Sequence, residues 1–144
     1  SRRRHTRYIS VTGVQTCALP ISHRTVGACK LDGTMWHYSS RGPGQDHAGE
    51  GNARKPDVVA PTPENGRVLY GSATRALPNG WGTSGACAQG AGLAALLWSL
   101  KPDLGRDELF ELIRSTAARL SAGPNAQGHG RIDCAAAVRA AARN

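Results

Sequence analysis

The sequence predicts an α/β protein, on three observations. Residues Gly85 to Leu100 run for sixteen positions without a charge and are rich in Ala and Leu. That is too long for an ordinary strand and marks a buried helix. Short apolar runs bounded by Gly and Pro, such as Val58-Val59-Ala60 between Pro56 and Pro61, mark buried strands. The composition, 40% hydrophobic with 18 glycines in 144 residues, suits a loop-rich globular chain rather than a disordered one.

Taken in order from Ser22, Thr25 to Cys29 is a short apolar run. Asp32-Gly33 then signals a hairpin turn, and Trp36-His37-Tyr38 reads as the returning strand. Residues 44–54 are polar and glycine-rich without periodicity, a surface loop. Val58-Val59-Ala60 is a buried strand, Asn65-Gly66 another hairpin turn and Arg67 to Gly71 a strand. Ala73 to Pro78 reads as a loop delivering the chain to the Asn79-Gly80 turn. The long helix ends before Lys101-Pro102. Asp107 to Leu120 places Leu109, Phe110, Leu112, Ile113, Ala117 and Leu120 near helical spacing, with acids in the first turn, as an amphipathic helix requires. Residues 123–130 form a loop and Arg131-Ile132 a brief extended link. Asp133 then suits the N-cap of a helix from Cys134 to Ala142.

The long helix carries the chemistry. It is apolar all round, so it belongs inside a larger protein. Gly85, Ala86, Ala88, Gly90, Ala91 and Gly92 keep its first turns slim, where backbone approaches backbone. Ser84 opens it, with the positive end of the helix dipole behind the hydroxyl. A developing oxyanion is stabilised at such a place, which makes Ser84 a candidate nucleophile. The plainer alternative is that Ser84 only caps the helix.

The surroundings favour the first reading. Gly82-Thr83-Ser84-Gly85-Ala86-Cys87-Ala88-Gln89-Gly90-Ala91-Gly92 resembles the serine motif of the subtilisin-like serine proteases (subtilases), usually G-T-S-M-A-x-P-H-V-A-G. Gly82, Thr83, Ser84, Ala86, Ala91 and Gly92 match. Gly85 stands for Met, Ala88 for Pro, Gln89 for His and Gly90 for Val. Three further blocks follow the family's order: V-G-A…D-G…Y-S-S-R-G-P over Val26–Pro43, P-D-V-V-A-P over Pro56–Pro61, and G-x-G-x-I-D-x-x-A-A-V over Gly128–Val138. Thr62 replaces the family's usual Gly.

The resemblance, over roughly residues 25–142, implies an incomplete C-terminal part of a three-layer α/β/α fold. It implies Ser84 as nucleophile, with its own N–H in the oxyanion hole and Thr83 in support. The family's D-[ST]-G and H-G-T-H motifs and its oxyanion asparagine lie upstream of the V-G-A block, and none occurs here. The chain is thus expected to be silent alone and to work on a polypeptide substrate in its parent. Calcium belongs to the parent on the same ground, as does an extracellular or cell-envelope location; no cofactor is expected in this segment. The competing class is a pseudoprotease or protein-binding domain on the same scaffold. His37 and His47 do not sit where the family keeps its base, nor do His23 and His129. Asp57 is not where it keeps its acid, and Asp103 and Asp107 read as turn and helix-start residues.

Residues 1–21 resemble an in-frame translation of a short-read sequencing adapter, matched over Ser1–Arg7 and Val11–Ile21 with Tyr8-Ile9-Ser10 at the barcode. They are expected to be disordered, leaving residues 22–144 as the C-terminal portion of a peptidase S8-like catalytic domain. The formal charge is +8; without Arg2, Arg3, Arg4 and Arg7 it falls by four to +4, which removes most of the case for nucleic acid. Cys29, Cys87 and Cys134 are too widely spaced for a zinc site or a disulfide framework. Buried free thiols are the expectation, with a Cys29–Cys134 bridge the alternative. No apolar run is long enough to span a bilayer.

Overall fold

The computed structural model describes residues 17–19, 24–44, 54–70, 73–78 and 81–143. A small sheet runs β1 (Cys17–Leu19), β2 (Arg24–Cys29) and β3 (Val58–Pro61), in that order across its width. β1 pairs antiparallel with β2, from Cys17 opposite Val26 to Leu19 opposite Arg24. β2 and β3 are parallel, in register from Val26 opposite Val58 to Cys29 opposite Pro61. Beyond β3 the sheet is carried on by single bridges, Val59 to Arg131 and Arg131 to Ala118. A separate hairpin joins β4 (Asn65–Tyr70) to β5 (Ala73–Pro78). Four helices follow: α1 (Gly82–Leu100), α2 (Arg106–Ser115), α3 (Pro124–Gln127) and α4 (Cys134–Ala141).

Buried strands and helix alternate as the apolar pattern requires. β3 is buried over Val58, Val59 and Ala60, as both faces of a parallel sheet demand. α1 lies across all three strands and also touches α2 and α4. Leu93, Ala94 and Leu97 of α1 join Val26, Leu109 and Ile113 in one core cluster. α2 begins with the Gly105 N–H donating to Glu108 Oε2 at 3.0 Å. α4 begins with Asp133 Oδ1 accepting the Ala136 N–H at 2.8 Å, the cap read from the sequence. Gly128 has φ +62°, and a Cβ there would run into the Pro56 and Asp57 carbonyl oxygens, so no other residue fits.

Several elements differ from the sequence reading. Ala73–Pro78 is a strand rather than a loop, and Asn65-Gly66 lies within β4, opposite Pro78 and Leu77. The Asn-Gly signal misleads because strand pairing overrides turn preference. Trp36-His37-Tyr38 is not a full strand: after the Met35 bridge to Cys29 it turns, with the Ser39 N–H donating to Trp36 O at 3.1 Å. Side chains replace the ladder there. Trp36 and Tyr38 stack at 5.1 Å and both bond to Thr62. α2 stops at Ser115 because Thr116 Oγ1 donates to Leu112 O at 2.7 Å and Ala118 joins the sheet.

Within residues 1–21, Cys17–Leu19 forms β1 on the sheet instead of lacking structure; the rest of that segment lies outside the described residues. α1 is buried on one side only. Ser84, Ala88, Ala91, Gly92, Ala95, Leu96, Ser99 and Leu100 form an exposed stripe, with Leu96 43% and Leu100 51% exposed. Cys29 and Cys87 are buried as expected, but Cys134 is exposed, because it begins a helix at the surface. Burial pushes the Cys29 thiol up to about 11, so it stays protonated.

Candidate active site

The start of α1 is a sharp entry. Trp81 is the N-cap, with φ −100° and ψ 14°, and Gly82 follows at φ +62°. A Cβ on Gly82 would meet nothing within 4 Å, so the glycine is there for its backbone angle rather than for space. Thr83 and Ser84 complete the first turn, Thr83 buried and Ser84 exposed. Ser84 is therefore the third helical residue and does not cap the helix, which has no side-chain cap bond. Among the described residues its hydroxyl has no hydrogen-bond partner.

The ladder of α1 begins with the Gly85 N–H donating to Trp81 O at 3.1 Å. The N–H groups of Gly82 and Ser84 are among those that precede it, donors that a helix start leaves without an intrahelical acceptor. Together with the dipole of a 19-residue helix they make this end attractive to negative charge.

The helix start is held against the end of β3. The Gln89 carboxamide, on the second turn, donates to the Pro61 carbonyl. The next residue, Thr62, is fully buried and acts as a hub. Its N–H donates to Cys29 O at 2.8 Å, its carbonyl accepts Trp36 Nε1 at 3.2 Å, and its hydroxyl shares a hydrogen bond of 3.1 Å with the Tyr38 hydroxyl. A glycine here, as the family usually has, would lack that last bond. The sequence reading missed Gln89 and Thr62 as supports; both were visible only as departures from the motif.

The remaining titratable groups lie elsewhere. Asp57 accepts from Thr25 N, Thr25 Oγ1 and Lys55 Nζ at 2.8, 3.1 and 2.8 Å, with the Arg24 guanidinium 3.6 Å away. Burial works to raise its pKa, but the bonds from Lys55 and Thr25 outweigh it and hold the carboxyl below its usual range. This is a structural carboxylate at the start of β3. The His129 N–H donates to Asp57 O at 2.8 Å, so His129 sits at that same end. Burial and the charges of Arg114 and Arg54 lower its pKa. Four residues of strand, roughly 13 Å, separate this end from Pro61, where Gln89 anchors α1. His37 is exposed beside Trp36 and Tyr38. His23 and His47 lie outside the described residues. None of the described histidines or carboxylates is shown beside Ser84.

A groove of about 730 Å³ opens at the other end of α1, between Leu100, Leu104, Glu108, Glu111 and Leu112. Its volume does not make it the reactive site, since its hydroxyl, Ser115, donates to Leu112 O. Among the described residues no three His, Cys, Asp or Glu side chains gather as a metal site built from them would need. No described helix is long and apolar enough to cross a membrane.

An apolar helix packed on a sheet with a parallel strand pair, with an exposed serine on its first turn, is an arrangement found in serine hydrolases. Residues 7–130 match the model of the subtilase family, Peptidase S8. The chain belongs to that family. Solved structures agree. The serine protease MycP1, described as an essential component of the type VII (ESX-1) secretion system, is 31% identical with a TM-score of 0.63, over 81% of this chain and 31% of that one. MycP1 from Mycobacterium smegmatis is 29% identical with a TM-score of 0.62, over 81% and 29%. A protease from Pseudoalteromonas arctica PAMC 21717 is 28% identical with a TM-score of 0.60, over 81% and 35%. The chain spans about a third of the length of these structures. No curated protein matches it. The architecture is thus a partial α/β subtilase fold.

Proposed function

We propose that this chain is the serine-bearing part of a subtilisin-like endopeptidase and that Ser84 is its nucleophile. The observation that supports this most is the exposed Ser84 hydroxyl on the first turn of α1, uncapped, beside helix N–H groups with no intrahelical acceptor. The hydroxyl oxygen attacks the scissile carbonyl carbon, and the carbonyl electrons move to its oxygen. The Ser84 N–H and the helix start stabilise that oxyanion, and Thr83, buried beside it, keeps the turn rigid. Collapse expels the amine and leaves an acyl-serine, which water then hydrolyses.

A base must take the hydroxyl proton and an acid must orient the base. In this reading both come from upstream motifs of the parent, D-[ST]-G and H-G-T-H, which this sequence does not contain. Loss of the base alone costs a subtilisin roughly 10⁶-fold in rate, so residues 22–144 by themselves should be silent. The substrate is a polypeptide. Peptide hydrolysis by the full-length parent, with and without Ser84→Ala, tests the reading. Loss of all but about 10⁻⁶ of kcat supports it. Unchanged hydrolysis removes Ser84 from the chemistry, and a parent inert despite intact upstream motifs points instead to a protein-binding domain on the same scaffold.

A further inference from the structure

Beside Ser84 the chain exposes a large aromatic side chain that the reaction does not use. Trp81, at the N-cap of α1, is 45% exposed. Among the described residues the other large exposed apolar side chains are Leu31, in the turn after β2, and Leu96 and Leu100, far along α1. Trp81 precedes the first turn that carries Ser84, and it packs on that turn at Gly85, the residue next to the serine. Contact with Gly85 is direct. A Cβ built on Gly85 would lie 2.6 Å from Trp81 Cβ, 3.4 Å from Cε3 and 3.5 Å from Cγ. The root of the indole thus lies across the bare backbone of Gly85, where the family motif usually carries methionine. Any side chain at position 85 would push it away. On the other flank, Gly82 leaves open space.

We propose that Trp81 is a specificity-determining residue for hydrolysis at Ser84: its indole is an apolar wall beside the nucleophile that accepts a bulky aromatic or branched apolar side chain next to the scissile bond. The proposal rests on Ser84 being the nucleophile. A rigid aromatic face gives large contact area at low entropic cost, and here it costs no further packing because Gly85 already leaves room for it. The glycine and the tryptophan act as a pair. Gly85 lets the indole fold over the first turn, and the indole replaces the bulk that a larger residue 85 would have provided. An apolar wall discriminates by contact area, so the expected preference for a bulky over a minimal side chain is on the order of tenfold.

The test uses the full-length parent and two peptide series, one varied in the residue on the acyl side of the scissile bond and one on the leaving-group side. Each series compares phenylalanine, leucine and glycine, and the readout is the ratio of kcat/KM for bulky over glycine peptides. Fluorophosphonate labelling of Ser84 is read in parallel. The proposal predicts a ratio of roughly ten in one of the two series. Trp81→Ala should bring that ratio to about one, and Trp81→Phe should keep most of it. Gly85→Ala, which displaces the indole, should lower the ratio in the same series. Labelled wild-type enzyme with equal ratios in Trp81→Ala and wild type overturns the proposal alone. Wild-type enzyme that does not label at Ser84 overturns the nucleophile reading, and this proposal with it.

Discussion

The Gln89 carboxamide donates to the Pro61 carbonyl, fastening α1 five residues past Ser84 to the last residue of β3. A histidine usually stands at this place in the family motif; here an amide makes the connection. The bond fixes how high the helix start stands above the sheet. Gln89→Leu removes the donor and leaves a half-buried carbonyl without this partner, which costs about 1–3 kcal/mol. Denaturant unfolding of the parent should show that loss. A change below about 0.5 kcal/mol would remove Gln89 from the support of the site.

Asp57 makes stability depend on acid. Its folded pKa lies below the unfolded value near 3.9, so the unfolded chain takes up the proton first as pH falls. Its contribution is therefore complete above about pH 4 and is lost as pH drops through the folded pKa. Asp57→Asn removes the buried carboxylate that Lys55 and Arg24 share and should cost about 3 kcal/mol at pH 7. That penalty should shrink below about pH 4, where the wild type loses the same charge. Unfolding midpoints of the two proteins across pH 2–7 check it; a constant difference contradicts it.

Gly128 cannot be replaced without moving β3. Its φ of +62° disfavours a side chain, and a Cβ would meet the Pro56 and Asp57 carbonyls. Gly128→Ala should destabilise the protein by more than about 3 kcal/mol, among the large single-site effects. A melting temperature within about 2 °C of the wild type would contradict the described geometry.

The helix and the sheet it covers were legible in the sequence because both are long or densely apolar. The uncharged run over Gly85–Leu100 could only be a helix, and Val58–Ala60 between prolines could only be a short buried strand. The hairpin of β4 and β5 was hidden, because Asn65-Gly66 carries a stronger local turn signal than the alternation in Ala73–Pro78. Trp36 and Tyr38 were read as strand because side-chain bonds to Thr62, 26 and 24 positions away, leave no local trace. The place of Ser84 at the helix start was legible through its motif, and its exposure followed from its place on the first turn. Trp81 was not, since a wall against Gly85 exists only once the helix start is folded.

The exposed stripe of α1 predicts how the isolated chain behaves. Leu96 and Leu100 leave apolar surface open along a face of small residues. Residues 22–144 alone should self-associate, because burial worth roughly 25 cal/mol per Å² is withheld from that face. Sedimentation should show assemblies, and Leu96→Lys with Leu100→Lys should shift them toward monomer. A wild-type monomer with a cooperative melt would contradict this.

The central claim, that Ser84 is a nucleophile waiting for a base supplied by the parent, is tested most directly by fluorophosphonate labelling mapped to the modified residue. A serine without a base keeps its proton at neutral pH and reacts very slowly. The full-length parent should label at Ser84, Ser84→Ala should abolish the label, and residues 22–144 alone should stay unlabelled. Labelling of Ser84 in residues 22–144 alone would reveal a base within this chain, and an unlabelled parent with intact upstream motifs would contradict the claim outright.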